Sequence, residues 1–233
     1  MSDDVIRVVN RSNQRGGRML SLVDLVEAET FTLPMAAWVT ERIEDGASFL
    51  VGANPGGAGK TAVMGALLVM LPPGERVYIT RPGDPSWRTA GSGDCLVAYE
   101  ISPASFEAYI WGTELRTFVS RGLTGARLVA NLHADTLEEA REQFVEDNGV
   151  DAEHFEVFDL FVPITMAGGL GRRARVVQQV DYTRDGAGWT QVGREPELSP
   201  RGAEIARFLE DCNAAGRRRV EEVRAAWLEF LRR

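Results

Sequence analysis

The sequence predicts an α/β protein, with a mostly parallel sheet flanked by helices, a C-terminal antiparallel hairpin and a helical tail. Three observations predict it. Short apolar runs at residues 47–51, 95–99 and 127–132 alternate with helix-forming stretches, which implies parallel strands whose crossover helices cover both faces. Segments 158–163, 175–182 and 189–192 come next with turn residues between them, an antiparallel pattern. A length of 233 residues with 44% hydrophobic content suits one core of ordinary size.

In chain order, residues 5–9 (Val-Ile-Arg-Val-Val) alternate enough for an edge strand, and 11–18 are polar and Gly-containing, a loop. Ser21 is placed to cap a short helix over 22–28. Thr32 is placed to cap a second, with Pro34 in its first turn and Gly46 past its end. Residues 47–51 form a buried strand, succeeded by a Gly-rich loop and a helix from Lys60 that Pro72-Pro73-Gly74 stops by residue 71. Residues 76–80 are the next strand, and 81–93, rich in Gly, Pro, Asp and Ser, a loop. A third strand over 95–99 ends at Glu100, and Ser102-Pro103 opens a helix towards Arg121. The fourth strand, 127–132, ends at His133, and Thr136 caps the helix after it. Strands at 158–163 and 175–182 precede Asp185-Gly186, which turns into a last strand near 189–192. Ser199-Pro200 starts a helix towards Cys212. A final helix from near Gly216 carries Val220, Val223, Trp227 and Phe230 at helical spacing.

Composition excludes several classes. No apolar run reaches the ~18 residues of a membrane span. Met1-Ser2-Asp3-Asp4 is acidic and has no apolar stretch after it, so no signal peptide is expected. Cys95 and Cys212 are far apart and read as buried thiols in a reducing compartment. A net charge of −8 argues against general nucleic-acid binding. The expectation is a cytoplasmic protein.

One residue stands out by rarity. Lys60 is the only lysine, the rest of the 26 Lys and Arg residues being arginine. It lies in Gly56-Gly57-Ala58-Gly59-Lys60-Thr61-Ala62, directly after a buried strand and at the start of a helix. That context marks a phosphate-binding loop. Glycines let successive backbone N–H groups point inward, and the helix N-terminus adds partial positive charge. A lysine is a compact charge on a thin stem that fits inside such a backbone nest and reaches the β- and γ-phosphate oxygens, where the wide guanidinium fork does not fit. The Thr61 hydroxyl is a natural Mg²⁺ ligand. The expected ligands are therefore ATP and Mg²⁺. The usual first glycine of the motif falls on Asn54. Either the loop begins two residues earlier at Gly52, or Asn54 adopts the left-handed conformation that Asn tolerates.

Ligands of open α/β sheets sit at the carboxyl ends of strands, which directs attention to Glu100 and His133. A carboxylate at Glu100 can orient an attacking water and support Mg²⁺ through water. His133 can reach the γ-phosphate side of the pocket. The plain alternatives are a surface glutamate and a hydrogen-bonded strand-end histidine. Asp84 and Asp94 lie in the loop and turn before the third strand, where either could approach metal, but they read first as turn residues, and His154 reads as a surface residue. A second Gly-rich stretch, 166–173, lies between two strands and reads as a hairpin turn. Arg217-Arg218-Arg219 reads as a solvated helix face.

The order of these pieces over roughly residues 5–192 resembles the secretion ATPases that power type II and type IV secretion, type IV and tight-adherence pili, and the archaeal flagellar motor. The segment from Ser21 to Ala36 is similar to the family's lead-in, and Leu71-Pro-Pro-Gly-Glu-Arg-Val-Tyr-Ile-Thr80 to the stretch after its phosphate-loop helix. Residues 95–100 fall where the family has its Walker B strand and catalytic glutamate, and Leu132-His133-Ala134-Asp135 looks like its histidine box. The resemblance implies a RecA-like P-loop NTPase core over 47–192, a lead-in strand and helices over 1–46 and a helical tail over 193–233. It also implies ATP hydrolysis with catalytic Glu100 and His133, and partners that are further copies of the chain or secretion and pilus subunits. Membrane contact would be peripheral, at the inner face of the cell membrane and through those partners. The departures are Asn54 in the loop, Arg81-Pro82-Gly83-Asp84 in place of an acidic box, and Ile101-Ser102 where the family usually has Arg-Gly after the glutamate. The family's N-terminal domain, which contributes arginines to the nucleotide, has no counterpart in this sequence. Three functions are compatible with these residues: a motor ATPase, a non-catalytic nucleotide-binding module that binds a partner, and a small-molecule kinase, the last lacking an Arg-rich lid.

Overall fold

The structure is a computed structural model and describes residues 4–13, 16–54, 57–167, 174–183 and 188–232. Its centre is an eight-stranded sheet. The strands are β1 (Phe49–Gly52), β2 (Arg76–Ile79), β3 (Asp94–Ile101), β4 (Tyr109–Ile110), β5 (Arg127–Leu132), β6 (Leu160–Pro163), β9 (Gln179–Tyr182) and β10 (Thr190–Gly193). Between β6 and β9 a separate antiparallel pair stands off this sheet, β7 (Thr165–Ala167) with β8 (Ala174–Val176). The central order is β10-β9-β6-β1-β5-β3-β2, with β4 on the end of β3. Strands β6, β1, β5, β3 and β2 run parallel, and β9 and β10 are antiparallel. This is the α/β sheet with a closing hairpin that the sequence predicts.

Alternation within the strands explains the two-layer burial. Phe49 and Val51 of β1, Val97 of β3 and Val129 of β5 belong to one apolar cluster. Leu50, Leu96, Ala98, Leu128 and Ala130 belong to the other. The first face carries α4 (Lys60–Leu68), and the second carries α5 (Thr113–Gly122) and α6 (Leu137–Val145). Helices α1 (Asp4–Ser12), α2 (Leu22–Glu27), α3 (Leu33–Glu44), α7 (Pro200–Ala214) and α8 (Val220–Phe230) contribute to the first cluster. Lead-in and tail thus share one core with the sheet. Ser199 Oγ, which caps α7, also donates to Glu41 Oε1 of α3 at 2.7 Å, and Arg201 pairs with Glu44 at 2.7 Å. The expected caps are in place: Ser21, Thr32, Thr136 and Ser199 each accept a first-turn backbone N–H, worth about 1 kcal/mol apiece.

Four expectations are corrected. Residues 175–182 are not one strand, since β8 ends at Val176 in the pair with β7 and β9 starts at Gln179 in the central sheet. Arg217-Arg218-Arg219 lie in the connection between α7 and α8, not on a helix face. Residues 5–9 are not an edge strand but part of α1, because Val5, Val8, Val9 and Ser12 bury one helical face. Their spacing of three and four is helical, although the residues are β-branched. The helix expected from Ser102-Pro103 begins only at Thr113. Residues 102–112 instead form a loop and the two-residue β4, which extends the ladder beside Glu100 and Ile101. The hairpin reading of the second Gly-rich stretch is met by its flanks β7 and β8, while residues 168–173, and Asp185-Gly186, lie outside the described residues. Cys95 and Cys212 are buried free thiols, and burial pushes both upwards in pKa.

Candidate functional site

The sheet order determines the site. Strand β5 lies between β1 and β3, so the loops after β1 and β5 and the end of β3 converge at one edge. Lys60 comes from the loop after β1, His133 from just past β5, and Glu100 from the end of β3. Gly52, the last residue of β1, allows the close approach. A Cβ there would clash with Ala134 O and the Phe161 ring.

Lys60 is buried at the first position of α4. Its ammonium donates to Ala53 O at 3.3 Å, lies 3.3 Å from His133 Nδ1 and pairs with Glu100 Oε1 at 3.3 Å. With a charged Lys60 as donor, Nδ1 of His133 is the acceptor and the neutral ring carries its proton on Nε2. That nitrogen stands 3.9 Å from Glu100 Oε1. Burial raises the Glu100 pKa, and Lys60 pulls it back in part. Burial and then the neighbouring Lys60 charge lower that of His133, so the imidazole is neutral at pH 7.

Helix α4 begins in a glycine turn. Gly57 and Gly59 have φ of 93° and 103°, where side chains are strained. Ala58 is buried, and Thr61 and Ala62 line the cavity beside Lys60. Gly56 lies outside the described residues. Asn54 does not take the left-handed conformation considered for it, since Glu29 and Ala108 are the non-glycine residues with positive φ among those described. Its N–H instead donates to Asp135 Oδ1 at 2.7 Å, tying the loop to the segment after His133.

A cavity of about 950 Å³ opens over this cluster, lined also by the lead-in segment and by β8. The size is that of a cofactor pocket. The donor set fits a nucleotide polyphosphate: a helix N-terminus, one lysine, a hydroxyl and glycine turns without Cβ atoms. Among the described residues no group of three or more His, Cys, Asp or Glu could hold a metal ion. A Mg²⁺ bound here would find the Thr61 hydroxyl beside the phosphate oxygens of a bound nucleotide, which are usual ligands of that ion.

Two further positions escape sequence reasoning. Asn131, fully buried in β5, donates through Nδ2 to Tyr99 O at 2.9 Å. It does so where the β3–β5 register shifts between Ala98 and Ile101, and so fixes the bulge from which Glu100 projects. Its Oδ1 has no hydrogen-bond partner among the described residues. The only signal for it in the sequence is a lone amide within an apolar strand. Arg175 of β8 crosses to the loop and donates to Gly57 O at 3.3 Å. The acidic candidates lie elsewhere. Asp94, at the opposite end of β3, pairs with Arg76 at 2.7 Å. Asp84 accepts from Ser86 N at 2.9 Å.

No family model matches this chain, and no curated protein does. Among solved structures it is similar to the VirB11 ATPase from the Brucella suis type IV secretion system, solved in complex with sulphate. That likeness has 17% identity, covers 69% of this chain and 54% of the other, and has a TM-score of 0.46. It is also similar to the Yersinia pseudotuberculosis ATPase DotB, with 10% identity, 83% and 60% coverage and a TM-score of 0.39. The chain spans a little over half the length of these two. At such identities and TM-scores the likenesses decide nothing about the site, which stands on its own geometry. No helix among the described residues is long and apolar enough to cross a membrane.

Proposed function

We propose that this chain binds ATP with Mg²⁺ at Lys60 and hydrolyses its γ-phosphate, as a secretion or pilus ATPase does. One observation carries the reading. The sequence's only lysine is buried at the N-terminus of α4, within 3.3 Å of both Glu100 and His133, at the floor of a large cavity lined by Gly57, Gly59 and Thr61. In this reading residues 47–192 are the nucleotide-binding core, with 1–46 as lead-in and 193–233 as tail. The amides of residues 57–62 and Lys60 hold the phosphates, and Asn54, pinned by Asp135, sets the start of the loop. The Thr61 hydroxyl is the protein ligand of Mg²⁺, whose chemistry is to draw charge from the phosphate oxygens. Glu100 orients the attacking water, and its raised pKa suits a group that takes up a proton. His133, neutral, donates from Nε2 to oxygen on the γ-phosphate side. Further copies of the chain or secretion-machinery subunits would be its partners, in the cytoplasm or at the inner face of the membrane.

A second reading, a nucleotide-binding module without turnover, is favoured by one feature. Lys60 is already engaged by Glu100 and His133, and Asp84 is held in its own turn. Steady-state hydrolysis separates the two. The motor reading expects Glu100→Gln to bind Mg·ATP like wild type while turnover falls ~10²–10³-fold. Equal turnover in Glu100→Gln would remove Glu100 from its role, and no turnover in wild type despite tight binding would favour the module.

A further inference from the structure

Three cations line the cavity among the described residues: Arg18, Lys60 and Arg175. They differ in what already neutralises them. Arg18 makes a two-pronged pair with Asp24 at 2.7 and 2.9 Å. Lys60 has Glu100. Arg175 has no carboxylate partner among the described residues, and its one hydrogen bond there is to the neutral Gly57 carbonyl at 3.3 Å.

Its stem is placed by the loop itself. A Cβ built on Gly59 would come within 2.9 Å of Arg175 Cδ, so the arginine lies directly over the turn that starts α4. The side chain comes from the short β7–β8 pair, which stands apart from the central sheet, and the residue is exposed towards the cavity mouth. A guanidinium has five donors in a planar fork that matches phosphate oxygens two at a time. One donor spent on Gly57 O leaves the others for a ligand.

We propose that Arg175 is a second phosphate-binding cation of this cavity, reaching over the loop from the same chain to the polyphosphate of a nucleoside triphosphate. The proposal rests on the reading of the cavity as a nucleotide site. It makes the β7–β8 pair a cover for the phosphates, and Gly59 a glycine for the room it leaves this side chain as well as for its φ.

The test is titration calorimetry of Mg·ATP into wild type, Arg175→Ala and Arg175→Met, with thermal unfolding of each without nucleotide. Methionine keeps a stem over Gly59 and removes the charge. Both variants are expected to bind about 10- to 100-fold more weakly, the range of a charge-assisted hydrogen bond. Their unfolding midpoints without nucleotide should match wild type. Wild-type affinity in Arg175→Ala overturns the proposal. So does full affinity in Arg175→Met, which would make the residue a packing strut. If wild type itself shows no binding heat, the nucleotide reading falls and takes this one with it, whereas tight wild-type binding unchanged in both variants sinks Arg175 alone.

Discussion

Strand β5 begins at one buried cation and ends beside another, and the two are finished differently. Arg127 and Lys60 are equally hidden, each 6% exposed. Arg127 closes its donor set on short contacts: Glu75 at 2.6 and 2.9 Å, Ile43 O at 2.9 Å and Ala47 O at 2.8 Å. Among the described residues, Lys60 reaches Ala53 O, His133 and Glu100, each at 3.3 Å. A buried charge costs several kcal/mol unless paired and hydrogen-bonded. Arg127 meets that demand within the fold and clamps the amino-terminal edge of the sheet. The contacts Lys60 makes to described residues are longer, and in the proposed reading phosphate oxygens replace them. On the proposed reading, the difference separates a structural charge from one held ready for a ligand.

The largest expected break in this contrast is Arg127→Ala. It strands Glu75 and two carbonyls, and urea unfolding should show a loss of about 3–5 kcal/mol. Lys60→Ala should lose less than half of that, since Glu100 can take up a proton once its partner is gone. Equal losses from the two would erase the distinction.

Asn131→Ala comes next. It removes the Nδ2 bond to Tyr99 O and frees the β3 bulge. The expected cost is about 1–2 kcal/mol of stability, with turnover lowered more than Mg·ATP affinity, because Glu100 is displaced and Lys60 is not. A variant with normal turnover would show that the bulge holds itself.

The smallest effect is in pH. Burial and Lys60 keep His133 below the ordinary 6.5, so as pH falls the unfolded chain binds that proton first. The stability this contributes is complete above 6.5 and is lost as pH drops through the folded value. Glu100 has the opposite sign. Its pKa lies above the ordinary 4.5, so stability falls as pH rises through the raised value. With the ring 41% exposed, the histidine contribution is small. Urea midpoints of His133→Asn and wild type should converge as pH falls below 6.5, and a constant gap would contradict the sign.

Much of this is legible in the sequence, for identifiable reasons. The core strands announce themselves as short apolar runs at regular intervals, and Lys60 by being alone. Glu100 and His133 are found because carboxyl ends of parallel strands converge. Helix α1 is hidden because β-branched Val5, Val8 and Val9 look like a strand while their spacing is helical. Ser102-Pro103 misleads as a helix start, since Gly112, with φ of 58°, sets the real one. Arg175 is invisible for two reasons. One arginine among so many carries no signal, and its contact with Gly57 spans 118 residues. Arg127 is equally silent, because its partners Glu75 and Ala47 meet it only once the sheet is assembled.

The most direct test is calorimetric titration of Mg·ATP into wild type and Lys60→Ala, with ADP as competitor. Wild type should bind with measurable heat that ADP suppresses, and Lys60→Ala should bind ~100-fold more weakly, about 2.7 kcal/mol. No heat from wild type, or the same affinity in both proteins, would contradict the assignment of Lys60 to a nucleotide.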